Sequence, residues 1–283
     1  MSYAFPPGGL PDQSGDPAAN RAVFTTAYAF IPAAVQRDIV TSAFPGWEDT
    51  RAWILARPLS GFAETFAQYA LEVAPGGGSD APEPDPVAEG VLFVADGTGL
   101  LHLGETTHEL SAGSYAYLPP GQPWFLKATS LLRLHWIRRR YCPARGVPLP
   151  TAFVTSDGAM PVRWMPNTDL WGTTRFVEPE DLRHDMHVNI VTFRPGGRIP
   201  FAETHVMEHG LYVLEGTARY LLNTDWVEVG PGDFMWLRAF CPQACYAGGP
   251  GPFRYLLYKD VNRHAALGRS SLGAGIPARL AAE

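Results

Sequence analysis

Residues 203–216 read Glu203-Thr204-His205-Val206-Met207-Glu208-His209-Gly210-Leu211-Tyr212-Val213-Leu214-Glu215-Gly216. The segment has the pattern of a β-strand, and strand side chains alternate between two faces. Glu203, His205 and His209 are therefore expected to point the same way. Together they offer one carboxylate oxygen and two imidazole nitrogens, the donor set of a divalent metal site with open positions. The competing explanation is two surface histidines beside an acid, and the sequence downstream weakens it.

The end of this stretch has a copy. Leu211 to Gly216 repeats Leu92-Phe93-Val94-Ala95-Asp96-Gly97, 119 positions earlier. Gly230-Pro231-Gly232-Asp233-Phe234-Met235-Trp236-Leu237 repeats Ser111-Ala112-Gly113-Ser114-Tyr115-Ala116-Tyr117-Leu118 at the same offset of 119. A constant offset across two strands and the turn between them marks an internal repeat, hence a tandem of similar domains.

Around the repeat, Gln68–Val73 alternates as a strand and is expected to stop at the turn signal Pro75-Gly76-Gly77-Gly78. Val91–Ala95 reads as a buried strand, and Leu100–Leu103 and His108–Leu110 as further strands. Ala33–Val40 reads as a short helical turn. The division expected is an arm with lead-in strands over 1–60 and a first barrel over 61–145. A Pro-rich linker with lead-in strands covers 146–180, a second barrel 181–270 and a tail 271–283.

Composition agrees with an all-β chain of two domains. In 283 residues there are 29 Gly and 27 Pro, only 18% are charged, and 46% are hydrophobic, enough for two cores. A net charge of -6 and no basic run longer than Arg138-Arg139-Arg140 argue against nucleic acid as a partner. The polar start lacks a signal-peptide pattern, and no run approaches the roughly 20 apolar residues that span a bilayer. Cys142, Cys241 and Cys245 are too few and odd in number for a disulfide framework, so a cytoplasmic location and reduced, structural thiols are expected.

The spacing of the second half resembles the cupin superfamily. Gly197, Glu203, His205, His209 and Gly216 fall at the intervals of the first cupin motif, although here the acid precedes the histidines. Counting the second motif from Gly232 ends on Gln243, where its last histidine belongs, with Arg238 and Phe240 in place of its Pro and Gly. In the first half Gly113, Pro119 and Gly121 keep the turn and Trp124 replaces the ligand. The resemblance implies two tandem jelly-roll barrels in one chain. Stepping back 119 from Glu203, His205, His209 and Gln243 gives Pro84, Pro86, Gly90 and Trp124, none with a metal-binding side chain. Chemistry is therefore expected in the second barrel only.

A carboxylate, two imidazoles and an amide oxygen suit Mn(II), Fe(II), Ni(II) or Zn(II); manganese is favoured because it tolerates the neutral amide. Further on, Tyr255, Leu257 and Lys259 alternate onto one face. A lysine ending such a strand either snorkels to solvent or, if its face is the barrel interior, sits near the metal.

The stretches Glu203–Gly210, Gly232–Trp236 and Tyr255–Arg263 go further and resemble the (S)-ureidoglycine aminohydrolase family. The resemblance implies Mn(II) on Glu203, His205, His209 and Gln243. It also implies a ureide substrate touching Glu203, Gln243, Tyr255 and Lys259, and by family habit a homo-oligomer. Lys259, if its strand face is the barrel interior, is the expected catalytic proton carrier, and no nucleic acid or membrane partner is expected. A non-haem iron dioxygenase and a non-catalytic bicupin that binds a small ligand are the alternatives. The other histidines, His184 and His187 included, are read as structural or exposed.

Overall fold

The computed structural model describes residues 21–36, 42, 44–261 and 263. The arm over 1–20, the tail over 271–283 and the end of the Ala33–Val40 turn lie outside them; Ala33–Val35 is a single turn of 3-10 helix. Everything else that is regular is strand apart from two more such turns. As expected, the strands build two jelly-roll barrels.

The first barrel is one nine-stranded sheet. Its order runs Phe153–Ser156, Ser114–Leu118, Ala88–Asp96, Leu132–Arg140, Ala67–Ser79, Trp124–Ala128, Gly99–Leu103, Thr106–Leu110, with Glu48–Ala56 also on Ala67–Ser79. The second barrel has two sheets. The eight-stranded one runs Val23–Phe24, Tyr28–Ile31, Phe234–Leu237, His209–Glu215, Phe253–Asp260, Met186–Phe193, Trp171–Thr174, Val162–Trp164; the four-stranded one runs Arg198–Glu203, Gln243–Gly248, Thr217–Leu222, Asp225–Val229.

The strand beginning at Ala67 does not stop at the glycines. It runs on to Ser79, and Gly78 pairs with both Glu48 and Lys127. Gly78 has φ 142°, and a Cβ there would stand 1.9 Å from the carbonyl oxygen of Leu126. The glycines thus let one strand bend and change partners, where a chain with side chains would have had to turn.

Gly97 and Gly216 show the repeat in the same physical terms. Both have positive φ, 82° and 74°, and a Cβ on either would fall about 2 Å from a backbone carbonyl oxygen, that of Leu131 or of Pro252. Those two carbonyls are 121 apart, because the second copy carries two more residues in this turn. The closing strands follow that shift: Leu134 faces Val94, and Tyr255 faces Val213.

The repeats also exchange strands. Tyr28–Ile31, ahead of the first barrel, pairs with Phe234–Leu237 of the second; Phe153–Ser156, ahead of the second, pairs with Ser114–Leu118 of the first. Each lead-in covers an edge that would otherwise present free N–H and C=O groups. Three cores result, one inside each barrel and one between them. In the last, Phe66 stacks on Tyr258 with ring centroids 3.9 Å apart. Among the described residues no helix is long and apolar enough to cross a membrane.

Candidate metal centre

Glu203 is the last residue of its strand, in the four-stranded sheet, and His209 the first of its own, in the eight-stranded sheet. Residues 204–208 between them are not strand. The expected single alternating strand is corrected: a turn that crosses between sheets gathers these donors, and no shared pleat face does. The Phe240 N–H donates to the His205 carbonyl and the Glu208 N–H to the Asp260 carboxylate, both at 2.6 Å, so the turn is pinned on two sides.

Gln243 opens the strand beside Glu203 and is its register partner. Its amide nitrogen lies 3.4 Å from His209 Nδ1, and its carbonyl accepts the Tyr220 hydroxyl at 2.8 Å. His205 Nε2 is 3.4 Å from the Glu203 carboxylate, and the His205 and His209 rings are 5.1 Å apart. The structure brings all four sequence-predicted donors together.

His209 Nε2 is buried and has no hydrogen-bond partner. Burial, reinforced by His205 and Lys259, pushes the ring's pKa down to about 3, so it is neutral. A neutral imidazole with an unpaired buried nitrogen, next to a carboxylate and an amide, fits a divalent cation. The set is not closed on one point: no three His, Cys, Asp or Glu side chains among the described residues are gathered tightly enough to cage an ion. His205, on the turn and about a third exposed (34%), is the donor with room to swing in.

Lys259 is the register partner of His209 on one side and of His187 on the other. The three lie in a row across adjacent strands, roughly 4.8 Å from neighbour to neighbour. Tyr255 belongs to the core inside the barrel, with Leu257 packed on it, while Leu256 and Tyr258 face the core between barrels. Lys259, two residues beyond Leu257, therefore lies on the inner face. Burial, then the nearby Arg175, holds its ammonium below the ordinary lysine value.

Of the two roles expected for His187, structural or exposed, burial excludes the second. It is buried on this inner face with Nε2 unpartnered, and so is Asn189, with Oδ1 unpartnered. Burial, then Lys259, pushes His187 down to about 4. A cavity of about 790 Å³ lies elsewhere, between the barrels; Val206 of the donor turn reaches its wall, but none of the four donors does.

The cupin domain family matches this chain twice, at residues 70–138 and 189–258. Over 248 residues the chain is 34% identical to a probable (S)-ureidoglycine aminohydrolase of Oryza sativa subsp. japonica, spanning 87% of this chain and 77% of that one. It is 31% identical over 229 residues to the (S)-ureidoglycine aminohydrolase of Escherichia coli (strain K12), spanning 80% and 86%. The chain belongs to the (S)-ureidoglycine aminohydrolase family. A solved structure of a putative glyoxylate-induced protein from Pseudomonas aeruginosa is 61% identical and superposes with a TM-score of 0.85, covering 95% of this chain and 99% of that one.

In this aminohydrolase-family member, the first-barrel positions matching the donors are Pro84, Pro86, Gly90 and Trp124. Around them Trp47, Trp124 and Trp136 pack with centroids 5.7–6.4 Å apart, so indole rings fill that end of the barrel. Cys241 and Cys245 are free and buried, and burial pushes both thiols up, away from thiolate. They are core residues, as expected.

Proposed function

We propose that the chain hydrolyses (S)-ureidoglycine to (S)-ureidoglycolate and ammonia, with Mn(II) held by Glu203, His205, His209 and Gln243. The observation that carries this is the unpartnered His209 nitrogen amid three further donors, in a chain whose relatives, 31–34% identical, are named for that reaction. When bound, the ion supplies Lewis acidity, lowering the pKa of a coordinated water, and positive charge that attracts an anionic substrate.

The chain's own residues do the rest. In the net reaction the C–N bond to the amino group breaks, a C–O bond to the water oxygen forms, and a water proton leaves on ammonia. Lys259 Nζ carries that proton, helped by its lowered affinity for it. Tyr255 is kept protonated by burial and sits against Tyr220, whose hydroxyl holds Gln243. This fixed line of groups orients the substrate so that one enantiomer forms. Three free cysteines support a reducing compartment such as the cytoplasm.

The test generates ureidoglycine in situ from allantoate and follows ammonia and product chirality with and without a chelator. The expected result is (S)-ureidoglycolate formed only while metal is present. A racemic product at a rate indifferent to chelator overturns the assignment.

A further inference from the structure

Several polar groups on the inner face of the second barrel have no role in the reaction just described. Asn189 sits beside Leu257, and His187 beside Lys259; the two face inward from one buried strand, Met186–Phe193. Thr173 is the register partner of Val191 on the next strand, and Val191 belongs to the core inside the barrel. The Thr173 Oγ1, Asn189 Oδ1 and His187 Nε2 atoms are all buried without hydrogen-bond partners. Buried polar atoms left unpaired cost about 1–3 kcal/mol each, so three on one wall point to an absent polar occupant.

Arg175 follows directly on the strand Trp171–Thr174. Among the described residues neither its side chain nor that of Lys259 forms an ion pair or side-chain hydrogen bond, although Glu178 acts on the first and Asp260 on the second at longer range. Arg175 comes one residue after Thr174, the register partner of Ile190, so it adjoins Asn189 on the neighbouring strand, as Lys259 adjoins His187 on the other side. A guanidinium and an ammonium flanking one wall are suited to hold a carboxylate.

We propose that this wall is the specificity subsite for the ureide: Arg175 and Lys259 take the carboxylate, and Asn189 pairs with the ureido group, its carbonyl accepting a urea N–H while its N–H donates to the urea oxygen. The inference rests on the ureidoglycine assignment and says which side chains recognise which end. His187 Nε2 adds one further contact to the ureido group. An acetyl group of the same shape lacks the terminal NH2, so it leaves the Asn189 oxygen unpaired.

The test is calorimetric binding to the Mn(II)-loaded protein of two compounds without the amino leaving group, N-carbamoylglycine and N-acetylglycine. The wild type should hold the carbamoyl compound at least about tenfold tighter. Asn189→Leu should bring the two within about twofold of each other, and Asn189→Ala gives the same comparison if the leucine variant fails to fold. Arg175→Gln, at the half-buried strand end, should weaken both by about tenfold and leave their ratio intact. A preference that survives at position 189, or affinities indifferent to Arg175→Gln, overturns the subsite. If the binding pattern holds but ureidoglycine releases no ammonia, the activity assignment falls and the subsite stands.

Discussion

Glu89 and Glu208 lie 119 positions apart, at the same place in the two repeats, and each accepts a hydrogen bond from the aromatic residue 28 positions further on. For Glu89 the donor is the Tyr117 hydroxyl at 2.6 Å, and for Glu208 it is the Trp236 indole at 2.5 Å. Beyond that the pair diverges. Glu208 also accepts the backbone N–H groups of Glu64 and Thr65 and the Thr65 hydroxyl, whereas Glu89 Oε1 is buried without a partner. Glu208 thereby ties the link between two first-barrel strands, Glu48–Ala56 and Ala67–Ser79, to the turn that carries the candidate donors of the second barrel.

Glu208→Gln keeps the shape and replaces an acceptor by N–H2 aimed at other donors. Urea unfolding of this variant should show a loss of about 2–3 kcal/mol. A change below about 0.5 kcal/mol would remove Glu208 as a brace.

Glu89 gives the opposite signature. Burial pushes its carboxyl from the ordinary 4.5 up to about 8, Arg139 opposing the rise. Between those values the folded protein keeps a proton that the unfolded chain has released. The stability owed to protonated Glu89 is complete below about pH 4.5 and is lost as pH rises through about 8. Glu89→Gln should therefore gain on the wild type as pH rises from 5 to 8, measured by denaturant unfolding at each pH. A parallel pair of pH curves would refute the shift.

Lys259→Met should keep its metal and lose turnover by about 10²-fold or more. Metal content and ammonia release, measured on one preparation, check both halves. Near-normal ammonia release takes Lys259 out of the mechanism.

Removing metal with a chelator should abolish turnover and lower the melting temperature, and Mn(II) should restore both. His209→Ala should behave like the stripped wild type in both measurements. A melting temperature in that variant that still responds to Mn(II) would place the ion elsewhere.

Much of this was legible in the sequence because turns impose local chemistry. Gly97 and Gly216 are forced by carbonyls packed against them, so the repeat appears as glycine at a fixed offset. Strand exchange has no such mark, since Tyr28–Ile31 would read the same whichever barrel it joined. The Gly76–Gly78 run has the composition of a turn and the geometry of a bend, which composition does not separate. Glu203, His205 and His209 were found by residue type, but their convergence comes from a turn between sheets that alternation does not encode. His187 and Asn189 did leave a trace. They are the polar members at alternate positions of Met186-His187-Val188-Asn189-Ile190, a pattern that sets both side chains on one face of a strand buried on both sides.

The crossed lead-ins make the two halves inseparable. A gene cut between the repeats would encode two pieces, each missing the ribbon that seals its own rim and each carrying the ribbon that seals the other's. Loss of the donorless half would strip Tyr28–Ile31 from the other along with the Glu64–Thr65 anchor of its donor turn. A domain with no ligands of its own is thereby kept in the chain by what it lends to its neighbour.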